Sequence, residues 1–186
     1  LCGETGGALD VTVYPVVRAW GFTAGDYRVP EAKEVSALLE KVGYDRAELD
    51  GDRLTLPEGT ELDLGAVAKG YTGDRLMELF REAGISSAIV ELGGNVQALG
   101  AKPDGESWRI AVQAPEGGYA GVLEITDKAV VTSGGYQRYF EKDGETYIHI
   151  IDPSTGYPAR TGLASVTIVA DSGLLGDGLS TALFVM

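Results

Sequence analysis

The sequence has little cysteine, histidine and positive charge, and each shortage excludes a class of site or partner. Cys2 is the only cysteine among 186 residues, so the chain cannot form an intramolecular disulfide or a cysteine-based zinc cluster. Fifteen Lys and Arg stand against 28 Asp and Glu, which gives a formal net charge of −13. Because that charge repels nucleic-acid phosphates and anionic lipid surfaces, we expect no nucleic-acid partner.

Long apolar runs are also missing. No stretch reaches the roughly 20 residues that a membrane-spanning helix needs, and no signal-peptide pattern opens the sequence. The hydrophobic share of 44% is typical of a globular protein, so we expect a single domain over residues 1–186. The first residues, Leu1-Cys-Gly-Glu-Thr-Gly-Gly7, are typical of the interior of a fold. We therefore also expect the domain to be truncated at its N-terminus.

The most informative stretch is Glu61-Leu-Asp-Leu-Gly-Ala-Val-Ala-Lys-Gly70, which leads into a helical pattern over residues 71–83. Asp63 is a candidate N-cap, and the N–H groups at a helix start attract an anion. Lys69 favours a phosphate partner there, while the alternative is a surface lysine paired with Asp63. The stretch predicts a phosphate-facing corner, although it is neither a Walker loop nor a dinucleotide fingerprint. We expect the helix to bury an apolar stripe made of Val67, Tyr71, Leu76, Leu79 and Phe80.

The rest of the chain combines short strand patterns with two further helical patterns. The helices are predicted over residues 30–42 and 173–184. Connections between strand patterns are mostly too short for crossover helices, so we expect antiparallel pairing, with a hairpin at Asp143-Gly144. These patterns predict an α+β fold, in which a largely antiparallel sheet packs against three or four helices. The strand patterns cover residues 53–56, 60–62, 88–92, 95–100, 108–113, 121–125, 129–132, 136–140, 146–151 and 164–170.

Asp177 and Thr181 lie four residues apart in the last helical pattern, which places them on one face. A carboxylate and a hydroxyl in this arrangement suit Mg²⁺, which takes hard oxygen ligands and keeps water or phosphate in its other positions. The alternative is an Asp that stabilises the helix dipole and a Thr that bonds to a backbone carbonyl, and the spacing alone favours that alternative. Gly176 and Gly178 weaken the helix around Asp177, which a metal site in need of room would tolerate.

His149 is the only histidine, and it follows the predicted hairpin. A lone histidine on a strand is most often a hydrogen-bonded structural residue, and the alternative is a general base. Asp152 is expected to stabilise the turn before Pro153 rather than to act in chemistry.

Five motifs follow one another in the order seen in the ApbE family, and the chain resembles that family from Gly6-Gly-Ala-Leu-Asp10 to its last residues. The resemblance implies an ApbE-like fold and a magnesium-dependent flavin transferase. Such enzymes move FMN from FAD onto a Thr or Ser hydroxyl of an acceptor flavoprotein that carries a short flavinylation motif, and they release AMP. The five motifs are Asp63-Leu-Gly-Ala-Val-Ala-Lys-Gly70, Leu92-Gly-Gly-Asn95, Thr132-Ser-Gly-Gly-Tyr136, His149-Ile-Ile-Asp-Pro153 with Thr155-Gly156, and Asp177-Gly-Leu-Ser-Thr-Ala182.

The resemblance also implies roles for individual residues. His149 is implied as the catalytic base. Because the net charge is awkward for a pyrophosphate, FAD binding is expected to depend on Mg²⁺, on Lys69 and on backbone amides. The implied metal ligands are Asp177, Ser180, Thr181 and a backbone oxygen of Ala66. The implied flavin-nucleotide contacts are Ala8, Leu9, Asp10, Asp63, Lys69 and the backbone of Ile151, with Leu9 in place of the family's usual aromatic residue.

Two other functions remain open at this point. An FAD pyrophosphatase would use water as the acceptor and yield FMN and AMP, and the sequence does not separate it from the transferase. A non-catalytic flavin-binding or carrier protein would not need Asp177 and Thr181, so their presence argues against it. Members of the family usually carry an upstream segment, often with a secretion signal or lipid anchor. The resemblance therefore implies a cell-envelope location, outside the cytoplasm.

Overall fold

The structure, a computed structural model, describes residues 1–186, which fall into two compact units. The first unit comprises residues 1–64, 135–163 and 182–186, and the second comprises residues 65–134 and 164–181. Each unit is made of segments that are separate in sequence. The expectation of one domain stays a prediction. None of the helices combines the length and apolar character needed to cross a membrane.

Two helices open the chain, a third separates two short strands from ten further strands, and a fourth helix ends it. Every strand ladder is antiparallel, as predicted. The four α-helices are α1 (Tyr14–Ala19), α2 (Ala32–Leu39), α3 (Ala68–Glu82) and α4 (Gly173–Val185). The strands are β1 (Glu48–Asp50), β2 (Arg53–Thr55), β3 (Ala88–Glu91), β4 (Asn95–Leu99), β5 (Trp108–Gln113), β6 (Tyr119–Ile125), β7 (Ala129–Gly134), β8 (Tyr139–Lys142), β9 (Glu145–Ile148), β10 (Ile151–Asp152), β11 (Tyr157–Pro158) and β12 (Ser165–Ala170).

The first unit is built around an aromatic core. Trp20 and Phe22 follow α1 and are completely buried, and Phe140 of β8 and Tyr147 of β9 stack on each other with ring centroids 5.0 Å apart. Buried Trp20 keeps its indole hydrogen bond, since Nε1 donates to the Gly156 carbonyl at 2.9 Å. This core holds the β8–β9 hairpin and the short β10–β11 ladder that follows it.

Two strand predictions in the first unit have different outcomes. The β8–β9 hairpin turns at Asp143-Gly144 with φ of 52° and 79°, the left-handed values that an Asp-Gly turn supplies, so this prediction is confirmed. The strand predicted at residues 60–62 is wrong, because only an isolated bridge between Glu61 and Val13 forms there. Pro57 and Gly59 turn the chain away from β2, which pairs with the unpredicted β1 instead.

The second unit contains a four-stranded sheet in the order β12-β7-β4-β3. β4 is the most buried strand, whereas β3, which confirms the strand predicted at residues 88–92, is a half-exposed edge. The β5–β6 ribbon packs on this sheet through a buried cluster of Ala98, Ile110, Ile125 and Val130.

Gly70, Gly73 and Met77, rather than the predicted apolar stripe, form the buried side of α3. Tyr71 and Leu79 are 57% and 51% exposed, so the prediction that they are buried is wrong. A Cβ on Gly70 would lie 2.1 Å from the Gly173 carbonyl oxygen, and a Cβ on Gly73 would lie 2.2 Å from Gln97 Nε2. α3 can approach the start of α4 and strand β4 this closely only because both positions lack a side chain.

Candidate metal and nucleotide sites

Asp177 lies in the second turn of α4 and is only 4% exposed. Its Oδ2 accepts a hydrogen bond from the Gly70 amide of α3 at 2.5 Å, and its Oδ1 accepts one from Asn95 Nδ2 of β4 at 2.9 Å. The first turn of α4 contains no acidic residue. The alternative in which Asp177 stabilises the helix dipole is therefore wrong, since the carboxylate is held by α3 and β4.

The buried Asp177 carboxylate has no cationic side chain beside it. None of the nine ion pairs includes Asp177, and both of its donors are neutral. Burying a carboxylate without a counter-charge costs several kcal/mol, so the site is suited to a cation. No cluster of three or more His, Cys, Asp or Glu side chains is present. A cation here would meet one carboxylate and neutral oxygens, a donor set that fits Mg²⁺ bound together with phosphate.

A chain of hydroxyl groups runs beside Asp177. Ser180 Oγ donates its only proton to the Asp177 carbonyl at 3.0 Å, so in the 2.8 Å contact between Ser133 and Ser180 the donor must be Ser133. Ser133 then has no proton left for Thr181 Oγ1, 3.4 Å away, and in this long contact Thr181 must be the donor. These donor directions leave the lone pairs of Thr181 Oγ1 available to a cation. The Ser180 hydroxyl is fully buried and already takes part in two hydrogen bonds.

The glycine beside Asp177 has a packing role. A Cβ on Gly176 would lie 2.6 Å from Cγ2 of Val131 in β7. This glycine therefore lets α4 pack against the sheet, a role that the sequence did not indicate.

The start of α3, where the sequence predicts a phosphate-facing corner, is built differently from the prediction. The N-cap of α3 is Val67, whose side chain makes no capping hydrogen bond, so the prediction of Asp63 as N-cap is wrong. Asp63 instead donates its backbone N–H to the Val11 carbonyl at 2.7 Å. Lys69 lies in the first turn of α3, is exposed, and donates from Nζ to the Gly93 carbonyl at 2.7 Å. Ala66 is half-buried just before α3.

Three predicted nucleotide contacts of the first unit have buried side chains. Leu9 and Ile151 are buried, which leaves their backbone atoms for any ligand contact. Asp10 accepts from Thr12 N and Oγ1 at 2.8 and 2.6 Å, and from Tyr44 N at 3.0 Å. Its carboxylate thus joins the segment before α1 to the turn after α2. Ala8 is half-buried and leads into this segment.

His149 lies between β9 and β10, where its ring is fixed by the backbone. Nδ1 is 3.0 Å from the Arg138 carbonyl, which only accepts, so Nδ1 carries the proton. In the neutral ring Nε2 then holds the lone pair, as a general base requires. Asp152 accepts from Ser154 N at 2.8 Å and from Thr155 Oγ1 at 3.1 Å, which confirms that it stabilises the turn at Pro153.

The shifted pKa values belong to exposed ion pairs and their neighbours. The hydrogen bond from Arg160 lowers the pKa of Glu145, and the hydrogen bond from Arg28 lowers the pKa of Glu34. Burial raises the pKa of Tyr147, which adjoins Glu145. Tyr147 and Arg160 line a cavity of about 490 Å³ in the first unit, together with Tyr157 and Thr161.

Sequence reasoning assigned no role to three residues that hold the Asp177 region in place. Asn95 and Gln97 lie on the same face of β4 and are buried. Asp74 of α3 accepts from Gly173 N at 2.6 Å and Leu174 N at 3.0 Å, so it caps α4 from outside that helix. Two amide side chains at alternate positions of a buried strand were the signal that could have pointed to Asn95 and Gln97.

The antiparallel α+β fold places the buried Asp177 carboxylate beside neutral hydroxyl groups. These features define a class of protein able to hold a hard divalent cation. Comparison with known proteins gives the family. The ApbE family profile matches residues 1–186, and the chain belongs to this family.

The relatives of the chain include curated FAD:protein FMN transferases and solved ApbE structures. The chain is 41% identical to the FAD:protein FMN transferase of Vibrio cholerae, with 100% of the chain and 58% of the relative covered. It is 37% identical to that of Haemophilus influenzae, with 98% and 56% covered. The ApbE protein of Thermotoga maritima superposes with a TM-score of 0.95 at 41% identity, over 100% of this chain and 62% of that one.

A second solved structure, the flavinyl transferase ApbE of Pseudomonas stutzeri in its apo form, superposes with a TM-score of 0.88 at 40% identity. The alignment covers 99% of this chain and 58% of that one. These structures confirm the predicted ApbE-like α+β fold. The chain spans less than two thirds of the length of the relatives it matches.

Proposed function

We propose that the protein is a magnesium-dependent transferase that moves FMN from FAD onto a Thr or Ser hydroxyl of an acceptor flavoprotein. The observation that carries this proposal is the buried Asp177 carboxylate, which has neutral donors and no cationic partner. It lies in a chain that matches the ApbE family throughout, and the curated relatives are named FAD:protein FMN transferases.

Asp177 and Thr181 would be the principal side-chain ligands of Mg²⁺, with Ser180 and the Ala66 carbonyl as the further predicted ligands. Bound Mg²⁺ would neutralise charge on the pyrophosphate of FAD. Two protein groups orient the Asp177 carboxylate by hydrogen bonds, Gly70 N and Asn95 Nδ2. The donor directions among the neighbouring hydroxyl groups leave the Thr181 lone pairs available to the cation.

His149 would act on the acceptor hydroxyl. Its Nε2 would take the proton as the hydroxyl oxygen bonds to the phosphorus of the FMN half. The bond from that phosphorus to the bridging oxygen breaks, and AMP leaves. Arg138 supports this role, because its carbonyl holds the proton on Nδ1.

The remaining predicted residues would contact the flavin nucleotide. Ala8, Leu9 and Ile151 would do so through the backbone, since the Leu9 and Ile151 side chains are buried. Lys69 would offer an ammonium group to a phosphate, because one hydrogen bond to Gly93 leaves two protons for an anion. Asp63 stays a predicted contact, and Asp10 would act indirectly by holding the segment of Ala8 and Leu9.

The test is incubation of the protein with FAD, Mg²⁺ and a peptide that carries the flavinylation motif. Mass spectrometry follows the peptide, and AMP is quantified in parallel. We expect an FMN-sized mass gain on the Thr or Ser, and its loss when EDTA is added. AMP release without peptide labelling would favour the pyrophosphatase, and FAD binding with neither product would favour the carrier protein.

We further propose a location outside the cytoplasm, in the cell envelope, which rests on the family alone. Fractionation of the native host, with antibody detection of the protein, tests it. Recovery in the cytoplasmic fraction would overturn this proposal without affecting the reaction.

A further inference from the structure

Four hydrogen bonds form a closed ring around the Asp177 carboxylate. Asn95 Nδ2 donates to Asp177 Oδ1 at 2.9 Å, and Gln97 Nε2 donates to Asn95 Oδ1 at 3.2 Å. Gln97 Nε2 also donates to the Gly70 carbonyl at 3.1 Å, and the Gly70 amide donates to Asp177 Oδ2. The ring thus joins α3, β4 and α4 through buried polar groups of a single residue from each helix and two from the strand.

Two groups of this ring only accept from side-chain amides, the Gly70 carbonyl and the Asp177 carboxylate, and they fix the orientation of both amides. The Gly70 carbonyl only accepts, so Gln97 must present nitrogen to it, and the same nitrogen contacts Asn95. Asn95 must then present its oxygen to Gln97 and its nitrogen to Asp177, whose carboxylate also only accepts. Neither amide can flip without placing two acceptors or two donors against each other in a buried site.

The amides supply donors without supplying positive charge. A Lys or Arg in place of Asn95 would neutralise Asp177 and compete with a bound cation. Asn95 is completely buried, so its amide holds Oδ1 in one orientation while the carboxylate keeps its full negative charge. An outer partner of this kind orients a metal ligand and typically changes metal affinity 10–100-fold when it is removed.

We propose that Asn95, locked by Gln97, is a positioning residue that orients the Asp177 carboxylate for a divalent cation and sets the affinity of that site. This inference rests on the proposed function, because it takes Asp177 as the metal ligand. Asn95 itself touches neither the metal nor the substrate. Its contribution is the direction and the undiminished charge of Asp177.

The test measures Mn²⁺ binding to the protein by electron paramagnetic resonance of the free ion, with Mn²⁺ as the only added ligand. For Asn95→Leu we expect affinity to fall by about 10–100-fold relative to the unchanged protein. The matched control is Thr167→Val, which removes the 2.9 Å hydroxyl contact with Thr132 in the same sheet and leaves the ring intact. We expect the control to bind Mn²⁺ as the unchanged protein does.

A second variant, Asn95→Asp, keeps the test informative if Asn95→Leu fails to fold. Two adjacent carboxylates repel each other without metal and bind a cation more strongly, since ligand charge sets affinity. We expect its Tm to fall without metal and to rise more on addition of Mn²⁺ than that of the unchanged protein. An equal Tm rise in both proteins, or unchanged Mn²⁺ affinity in a folded Asn95→Leu, would overturn this inference. Absence of Mn²⁺ binding in the unchanged protein would instead overturn the proposed metal site.

Discussion

Asp10 in the first unit and Asp177 in the second are both buried aspartates without a cationic side-chain partner, yet their surroundings differ. Asp10 accepts three hydrogen bonds from Thr12 and Tyr44, which lie in neighbouring turns. Asp177 accepts two, from Gly70 and Asn95, and four more hydroxyl or amide side chains lie close by, those of Gln97, Ser133, Ser180 and Thr181.

The difference lies in what each carboxylate holds. Asp10 satisfies two backbone N–H groups, one just before α1 and one at the start of a short 3-10 helix at Tyr44–Arg46, so its charge is used to fix the chain. Asp177 is held by a first-turn amide of α3 and by a side-chain amide of β4. A carboxylate held by rigid elements with its charge uncompensated is suited to a ligand, and one that ties loops together is suited to stability.

Asp177→Asn tests the second half of this comparison, with the largest expected effect. The variant keeps the shape of the side chain but removes the charge, so we expect kcat/KM for FMN transfer to fall by about a thousandfold or more, or about 4 kcal/mol. Some FAD binding should remain, through Lys69 and the backbone amides. Turnover that remains close to that of the unchanged protein would contradict the metal assignment.

Asp10→Ala tests the first half. Removal of this acceptor leaves the amides of Thr12 and Tyr44 without a partner, so we expect the free energy of unfolding to fall by about 3 kcal/mol. Urea unfolding followed by circular dichroism measures this. Mn²⁺ affinity of the folded variant should be unchanged. Full stability combined with loss of FAD binding would instead indicate a direct contact of Asp10 with the nucleotide.

His149→Gln separates chemistry in the first unit from stability. Gln can keep a donor near the Arg138 carbonyl but cannot accept a proton, so we expect kcat to fall about a hundredfold with KM for FAD little changed. Single-turnover labelling of the acceptor peptide gives the rate. A variant that transfers FMN at the normal rate would return His149 to the structural role that a lone histidine most often has.

Arg160→Gln is expected to have the smallest effect on stability of these variants. It breaks an exposed ion pair with Glu145, in contrast to the two buried aspartates. The Arg160 hydrogen bond lowers the pKa of exposed Glu145 below its ordinary value of 4.5. A lowered pKa in the folded state means that the pair stabilises the protein above pH 4.5, and that this contribution disappears as the pH falls through the folded pKa. We expect a slightly lower Tm for the variant at pH 7, and a smaller difference at pH 3, where Glu145 is more protonated. Equal Tm shifts at both pH values would show that the side chain acts through packing.

Much of this molecule could be predicted from local patterns. The Asp143-Gly144 hairpin followed from turn chemistry, β5 followed from a run of β-forming residues, and the last helix followed from its composition. The ordered motifs were enough to indicate the family. Each of these signals depends on residues that are close together in sequence, so no knowledge of the packing was required.

Predictions failed where distant residues decided the outcome. Asp63 resembled a helix cap, but α3 begins five residues later, where its backbone packs against Gly173. Tyr71 and Leu79 fitted an apolar stripe, but the buried side of α3 is formed by Gly70, Gly73 and Met77. The close approach of Gly176 to Val131 of β7 could not be predicted from the residues around Gly176.

Local patterns were enough to predict most element types, the antiparallel pairing and the low number of basic groups, and the family resemblance supplied the candidate ligands. The burial of Asp177 without a counter-charge, and its contacts with Asn95 and Gln97, became visible only in the folded chain. The physical reason is that hydrogen-bond partners and burial depend on segments about 80 to 107 residues apart, such as Asn95 and Gly70 with Asp177. No local pattern encodes which side chains those segments bring together.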